Sequence, residues 1–300
     1  MVRKVRSGKP EAVAQILHKY DGIASVLGKA EGTALIAEIV AESAAFLGAN
    51  TTLAGLESIV EGKQYFAFRT PHRLSRPVNR DLYIHDVTIL DEWLQRLKAN
   101  PGLDWLATEE CDRFLYTMAV SFCAMSDVTS DDDKKTPGTY FEQLVGHLFA
   151  ITFGVHPRNR VEVLTVEDER STLPTDFIFD LGPRQLKFHV PVKISTRDRV
   201  VQVWAHQKML DGVYGEGRFR GILVALGETQ LDRKKMRVQE ILLPDQWAVY
   251  QRFVARLHRV YYFDPPKKYL ALASQFPYIP VRTFGRFFKE RESLLKPPSA

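Results

Sequence analysis

The chain of 300 residues is poor in cysteine: Cys111 and Cys123 are the only two, with neither CxxC spacing nor a paired framework. A disulfide-stapled scaffold is therefore excluded. Long apolar runs are missing as well, since no uninterrupted stretch approaches the ~20 residues that span a bilayer. The opening MVRKVRSGKPEAV is basic but leads into no apolar segment, so a secretory leader is not expected. Internal repeats and low-complexity tracts are also absent. What is there, 45% hydrophobic and 26% charged residues, suits a globular protein with a sizeable core. The expected compartment is the cytoplasm, with no membrane partner.

The net charge of +5 hides an asymmetry. Residues 184–300 hold 22 Lys and Arg against 10 Asp and Glu, whereas residues 1–183 hold 19 against 26. A basic half within a chain of pI about 9.1 favours a polyanionic partner, most often nucleic acid.

The first third reads as helices. PEAVAQILHKYDGIASVLG, TALIAEIVAESAAFLG and LDEWLQRLKAN repeat apolar residues at three- and four-residue spacing. YFAFRTPHRLSRPVNRDLYIHDV, between them, is proline-rich, basic and extended. SDVTSDDDKKTPG is the best boundary, and its DDD run fits a solvated linker better than a metal site. The expected division is a mostly helical region 1–130, for DNA contacts or dimerisation, and a mixed region 131–300. In the latter, TYFEQLVGHLFAITF predicts an amphipathic helix, and DFIFDL with QLKFHVPVKIS predicts a hairpin around Gly182-Pro183. STRDRVVQVWAHQKMLDG predicts a capped helix closing at Gly212, GILVAL a buried strand, and DQWAVYQRFVARLHRVYYF a further helix. The fold class is α/β (α+β): a mixed central sheet flanked by helices.

The hairpin's alternation carries the chemistry. Leu186, Phe188, Val190, Val192 and Ile194 share one face, and Lys187, His189, Pro191 and Lys193 the other. Asp176 can lie on the side of Lys193, with Glu142 on the preceding helix. Two carboxylates and a lysine at a sheet edge suit metal-assisted phosphodiester hydrolysis. Asp176 and Glu142 would hold Mg²⁺, and Lys193 would orient water or offset developing charge. Each has a blander alternative: Glu142 closing a capping box with Thr139, Asp176 a solvated strand-end acid, Lys193 a surface cation.

Asp176, sixteen intervening residues and Lys193, followed by Ser195, Arg197, Asp198, Arg199, Gln202 and Val203, form a longer pattern. It resembles the PD-(D/E)xK core of type II restriction endonucleases in the group related to EcoRII, PspGI and NgoMIV. Thr136-Pro137-Gly138 through Phe141-Glu142 resembles an upstream segment of the NgoMIV branch. The resemblance spans residues 136 to about 210. It implies a restriction-endonuclease-like core and a Mg²⁺-dependent endonuclease that cuts double-stranded DNA as a homodimer, at a short palindrome containing CC and GG. It also implies that Arg197, Asp198 and Arg199, with Gln202, contact DNA. Arginine offers two donors to guanine O6 and N7, and aspartate accepts from cytosine N4. A salt-bridged surface turn is the alternative for the triplet.

Two departures stand out. Pro191 occupies the position two before the lysine, where such cores often carry an acid. Thirteen residues after Lys193, where relatives place a glutamate, stands His206. His206 could ligate a metal or hold water, but an ordinary helix-surface histidine is the reading preferred. Phe66, Phe68 and Trp204 are candidate base-stacking aromatics whose default place is the core. The alternative functions are another PD-(D/E)xK repair nuclease, or a DNA-binding regulator without catalysis.

Overall fold

The computed structural model describes residues 11–130, 133, 135–164, 170–183, 185–197 and 200–296. The chain opens with helices α1 (Glu11–Gly22) and α2 (Ala30–Asn50), then strands β1 (Thr52–Ser58), β2 (Tyr65–Arg69) and β3 (Val78–Asn79). Helices α3 (Val87–Ala99), α4 (Thr108–Thr129) and α5 (Lys135–Phe153) follow. Next come β4 (Arg158–Leu164), β5 (Arg170–Asp180), β6 (Lys187–Val190), β7 (Val192–Lys193), α6 (Val200–Tyr214) and β8 (Phe219–Ala225). The chain finishes through β9 (Thr229–Asp232), β10 (Arg237–Glu240), α7 (Pro244–Phe253), β11 (Arg259–Tyr262), α8 (Lys267–Ala271), β12 (Val281–Thr283), α9 (Gly285–Lys289) and α10 (Arg291–Leu295).

The main sheet runs β12-β11-β8-β6-β5-β4, with β7 also on β8. It is mixed: β4, β5 and β6 pair antiparallel, while β6, β7, β11 and β12 lie in parallel pairs. Helices α5 and α6 pack on the sheet. The expected class of mixed sheet with flanking helices is what the chain forms. GILVAL is the heart of it, since every residue of β8 is buried.

Three local expectations need correction. RVYY is not a continuation of α7: the helix ends at Phe253, and the β-branched and aromatic run becomes β11, parallel to β8. Helix α6 closes not at Gly212 but two residues later, against Gly215 at φ +93. QLKFHVPVKIS is one extended segment broken at Pro191, which has no N–H to give the ladder, so it forms β6 and β7. Both pieces keep one register on β8, Lys187 opposite Phe219 and Lys193 opposite Ala225.

A second, five-stranded sheet has the order β3-β2-β1-β10-β9. It joins distant parts of the chain, because β1 pairs parallel with β10. Asp264, just past β11, ties it to the main sheet. Its carboxylate accepts from the Tyr65 hydroxyl at 2.9 Å and the Asn79 amide at 3.0 Å, and pairs with Lys63 at 2.8 Å. The core crosses the 130/131 boundary too: Phe122 of α4 stacks on Tyr140 of α5. Phe149 and Phe153 reach Phe179, Phe188 and Phe287. Each such ring removed from water contributes ~1.5–3 kcal/mol.

His147 shows how a polar group is absorbed here. Gly28 N–H donates to its Nδ1 at 3.1 Å, which leaves Nε2–H for the Thr33 hydroxyl at 2.9 Å. Burial lowers its pKa to about 4, so the ring stays neutral. Among the described residues α2 alone is long and apolar enough to cross a membrane. It is packed within the helical layer, however, with 44% of its most apolar window buried. Two of its acids, Glu38 and Glu42, pair with Lys19.

Candidate active site

The site lies where the β5–β6 ladder stops. The last registered pair is Phe177 opposite Val190. The next residues are Asp176 and Pro191, and the proline cannot donate. The first free N–H beyond it, that of Val192, is taken by the side chain of Asp176, whose Oδ2 accepts it at 2.7 Å. The same oxygen accepts from the Lys193 ammonium at 2.7 Å. Asp176 and Lys193 thus converge on one face, as the alternation predicts, with each side chain about a fifth exposed. Pro191, at a position where an acid was looked for, shapes the break that holds Asp176.

A pocket of about 240 Å³ opens there, lined by Pro174, Thr175, Asp176, Pro191, Lys193, Gln202, Val203 and His206. Gln202 and His206 come from the first turns of α6, one helical turn apart on the same face. His206 is half-buried and faces the Asp176–Lys193 pair rather than standing clear on the helix surface. Burial lowers its pKa, with Asp176 and Lys193 acting in opposite directions. The adjacent Gln207 turns inward. Its amide donates to Asp211 and to the Phe219 carbonyl, both at 2.9 Å, and its oxygen meets His189 Nδ1 at 3.3 Å. Gly221 makes room for it, since a Cβ there would lie 2.6 Å from Gln207 Oε1. His189 is fully buried, its pKa lowered to about 4 chiefly by desolvation.

Glu142 approaches from α5. That helix begins at Lys135, capped by Asp133, which accepts the Thr136 N–H at 3.0 Å and hydroxyl at 2.6 Å. Glu142 is therefore two turns into the helix, and the capping-box alternative fails. The DDD run supplies a cap instead; Asp131 and Asp132 lie outside the described residues. One turn on from Glu142, Gly146 lets α5 close on β5, for a Cβ there would fall 2.4 Å from the Phe177 ring. Glu142 does not line the pocket but feels its charges. Burial first, then Asp176, raises its pKa to about 7, and Lys193 opposes the rise.

Among the described residues no group of three or more His, Cys, Asp and Glu forms a ready metal cluster. The donors at the pocket still fit a hard divalent cation such as Mg²⁺. Asp176 lines the pocket, Glu142 lies close enough behind it to feel its charge, and the buried hydroxyl of Thr175, another lining residue, has no hydrogen-bond partner. Such an orphan is what a missing cation or its water would satisfy.

The residues expected to contact DNA are only partly placed. Arg197 is half-buried, its Nε donating to the Ser195 hydroxyl at 3.0 Å. It borders a small cleft shared with Arg76, Tyr116, Gly227 and Asp264. Asp198 and Arg199 lie outside the described residues. Ser195 and Thr196 direct their hydroxyls not at α6 but at Glu228, a buried acid that no motif singles out. Its signal was faint: an acid just after GILVAL, where a buried strand ends. Phe66, Phe68 and Trp204 are core residues, 1%, 4% and 0% exposed, and not stacking platforms. Trp204 Nε1–H donates to Gln251.

No protein-family profile and no curated protein matches the chain. Two solved structures do. The crystal structure of the type IIP restriction endonuclease Kpn2I aligns with a TM-score of 0.79 at 23% identity, over 95% of this chain and 99% of that one. A restriction endonuclease PspGI–substrate DNA complex aligns with a TM-score of 0.46 at 14% identity, over 69% and 92%. The likeness to Kpn2I spans nearly the whole of both chains, so the two share a fold.

Proposed function

We propose that the chain is a Mg²⁺-dependent type II restriction endonuclease, hydrolysing double-stranded DNA as a homodimer at a short palindrome containing CC and GG. One observation carries the proposal. Asp176 and Lys193 meet at the broken end of a hairpin, beside a pocket, in a chain with the fold of a type IIP restriction endonuclease. Asp176 and Glu142 would hold the cation, which supplies Lewis acidity and charge neutralisation at the scissile phosphate. Lys193 then serves in two ways: it fixes Asp176, and it presents its remaining protons to the attacking water or to the charge growing on phosphate. His206 faces the same space, and burial disfavours its charged form, so it can accept a proton from water or position it. The basic half of the chain favours the DNA backbone. Arg197, Asp198 and Arg199, where β7 gives way to α6, suit the edges of G·C pairs. A palindrome presents each half-site twice, and two copies of the chain would read it.

The missing third acid favours one other reading, a DNA-binding protein without catalysis. Incubating phage DNA with the protein and Mg²⁺, then sequencing the ends, separates the two. One defined fragment set with a common terminal sequence is the expected result. Irregular nicking points to a repair nuclease, and retention without cutting to the regulator.

A further inference from the structure

Glu228 has no place in the chemistry above, yet it is among the most heavily bonded side chains described. It follows β8 and is 0% exposed. Its Oε2 accepts the Ser195 hydroxyl at 2.7 Å. Its Oε1 accepts the Thr196 hydroxyl at 2.7 Å and the Tyr262 hydroxyl at 2.6 Å. The Thr196 N–H is shared between both oxygens, at 3.0 and 3.2 Å. Among the described residues no Lys or Arg pairs with it. A buried acid without a cation is costly, and it persists only where donors surround it.

The partners have a pattern. Ser195 and Thr196 are the two residues between the Lys193 strand and Arg197. The backbone around them is fastened as well: Leu226 N–H donates to Lys193 O at 3.0 Å, and Gly227 N–H to Ile194 O at 3.2 Å. Ser195 Oγ, having given its proton to Glu228, offers its lone pairs outward, and Arg197 Nε–H takes one at 3.0 Å. The orientation of the Arg197 guanidinium is therefore set through one hydroxyl by a carboxylate on a different strand. With a neutral amide in place of Glu228, either the Ser195 hydroxyl loses its acceptor or those of Thr196 and Tyr262 lose theirs, and the hydroxyls left facing the NH₂ must turn.

We propose that Glu228 is a positioning residue that presets Arg197, through Ser195, for reading DNA sequence and locks the Lys193–Arg197 segment to the main sheet. The proposal rests on Arg197 contacting bases, and it assigns Glu228 to discrimination between sequences rather than to bond cleavage. Preorganising a long side chain removes an ordering cost at binding. A hydrogen bond to a charged group carries enough free energy for a loss of about ten- to 100-fold.

The test uses the full chain carrying Glu228→Gln, with Ser195→Ala and the double variant. Competition binding in Ca²⁺ compares the cognate duplex with duplexes altered at one base pair and with random DNA. Amide hydrogen exchange follows peptides covering residues 193–197. The expected result is a cognate-to-altered ratio about ten- to 100-fold lower for Glu228→Gln, random-DNA affinity unchanged, and faster exchange in that segment. Ser195→Ala should lower the same ratio, and the double variant should lose little more than Glu228→Gln alone. If Glu228→Gln fails to fold, the Ser195→Ala ratio decides. Wild-type discrimination together with wild-type exchange in a folded Glu228→Gln overturns the proposal. So does equal loss of cognate and random binding. If the wild-type protein itself discriminates nothing, the functional reading fails. The exchange rates then still decide whether Glu228 locks the segment.

Discussion

Asp176 and Glu228 both hold the segment Lys193–Arg197, one at Lys193 and the other at Ser195 and Thr196, and they are treated in opposite ways. Asp176 borders an open pocket, answers to Lys193, and sits near a second acid whose pKa it helps raise to about 7. The Thr175 hydroxyl beside it is left without a partner. Glu228 is sealed from solvent and surrounded by donors. One corner is incomplete in a way that a cation and a phosphate would complete. The other is finished and resists change. Incomplete polarity marks where a ligand belongs, and complete polarity marks what must not move.

The comparison can be broken, and the largest effect is expected at Arg197. A bidentate contact to guanine discriminates by ~1–3 kcal/mol, and two copies double each loss. Arg197→Ala should then weaken cognate binding by roughly 2–6 kcal/mol if the two sites add, with random-DNA affinity nearly kept. Competition binding in Ca²⁺ checks it. Equal loss on both DNAs would make Arg197 a phosphate clamp.

A smaller effect concerns the acid at the open corner that burial first, and Asp176 second, keeps from ionising. Glu142 holds its proton more tightly in the folded chain, with a pKa of about 7 against the ordinary 4.5. Its contribution to stability is present below pH 4.5 and is lost as pH rises to about 7. At pH 8 without divalent cation, Glu142→Gln should be more stable than wild type by roughly 3 kcal/mol, and the gap should close near pH 5. Urea unfolding at the two pH values measures it. A gap that does not depend on pH would remove Glu142 from the charged corner.

The smallest effect is at His206. Because it shares the pocket, His206→Ala should slow cleavage about tenfold, below the usual span of general acid–base catalysis. His206→Glu, which places at this position the acid that the resemblance leads one to expect, should keep or raise activity. An unchanged rate in His206→Ala would return the residue to the helix surface. A loss of several orders of magnitude would place it with Asp176.

Much of this was legible in the sequence, and the failures have physical reasons. Strict alternation revealed the hairpin and which side Asp176 and Lys193 share, because a period of two fixes the faces. The same alternation could not show that Pro191 would break the ladder and free a backbone N–H for Asp176. RVYY was hidden because a short apolar run after a helix has no period of its own. Strand β1 was missed because its partners, β2 and β10, lie near in sequence on one side and about 180 residues away on the other. His206 and Gln207 are neighbours in sequence, yet one faces the pocket and the other the core. Glu228 left only a faint signal because its donors are more than thirty residues distant. Asp198 and Arg199, half the argument for base reading, lie outside the described residues.

The Asp176–Lys193 corner is proposed to cut and not merely to bind. The most direct measurement is single-turnover cleavage of the cognate duplex in Mg²⁺, with binding of the same duplex in Ca²⁺, for wild type, Asp176→Ala and Lys193→Ala. Cleavage should fall by about 10³-fold or more in each variant, the upper scale for one preorganised electrostatic group. Cognate affinity should stay within about tenfold, because neither side chain reads a base. Substantial cleavage by either folded variant would contradict the account.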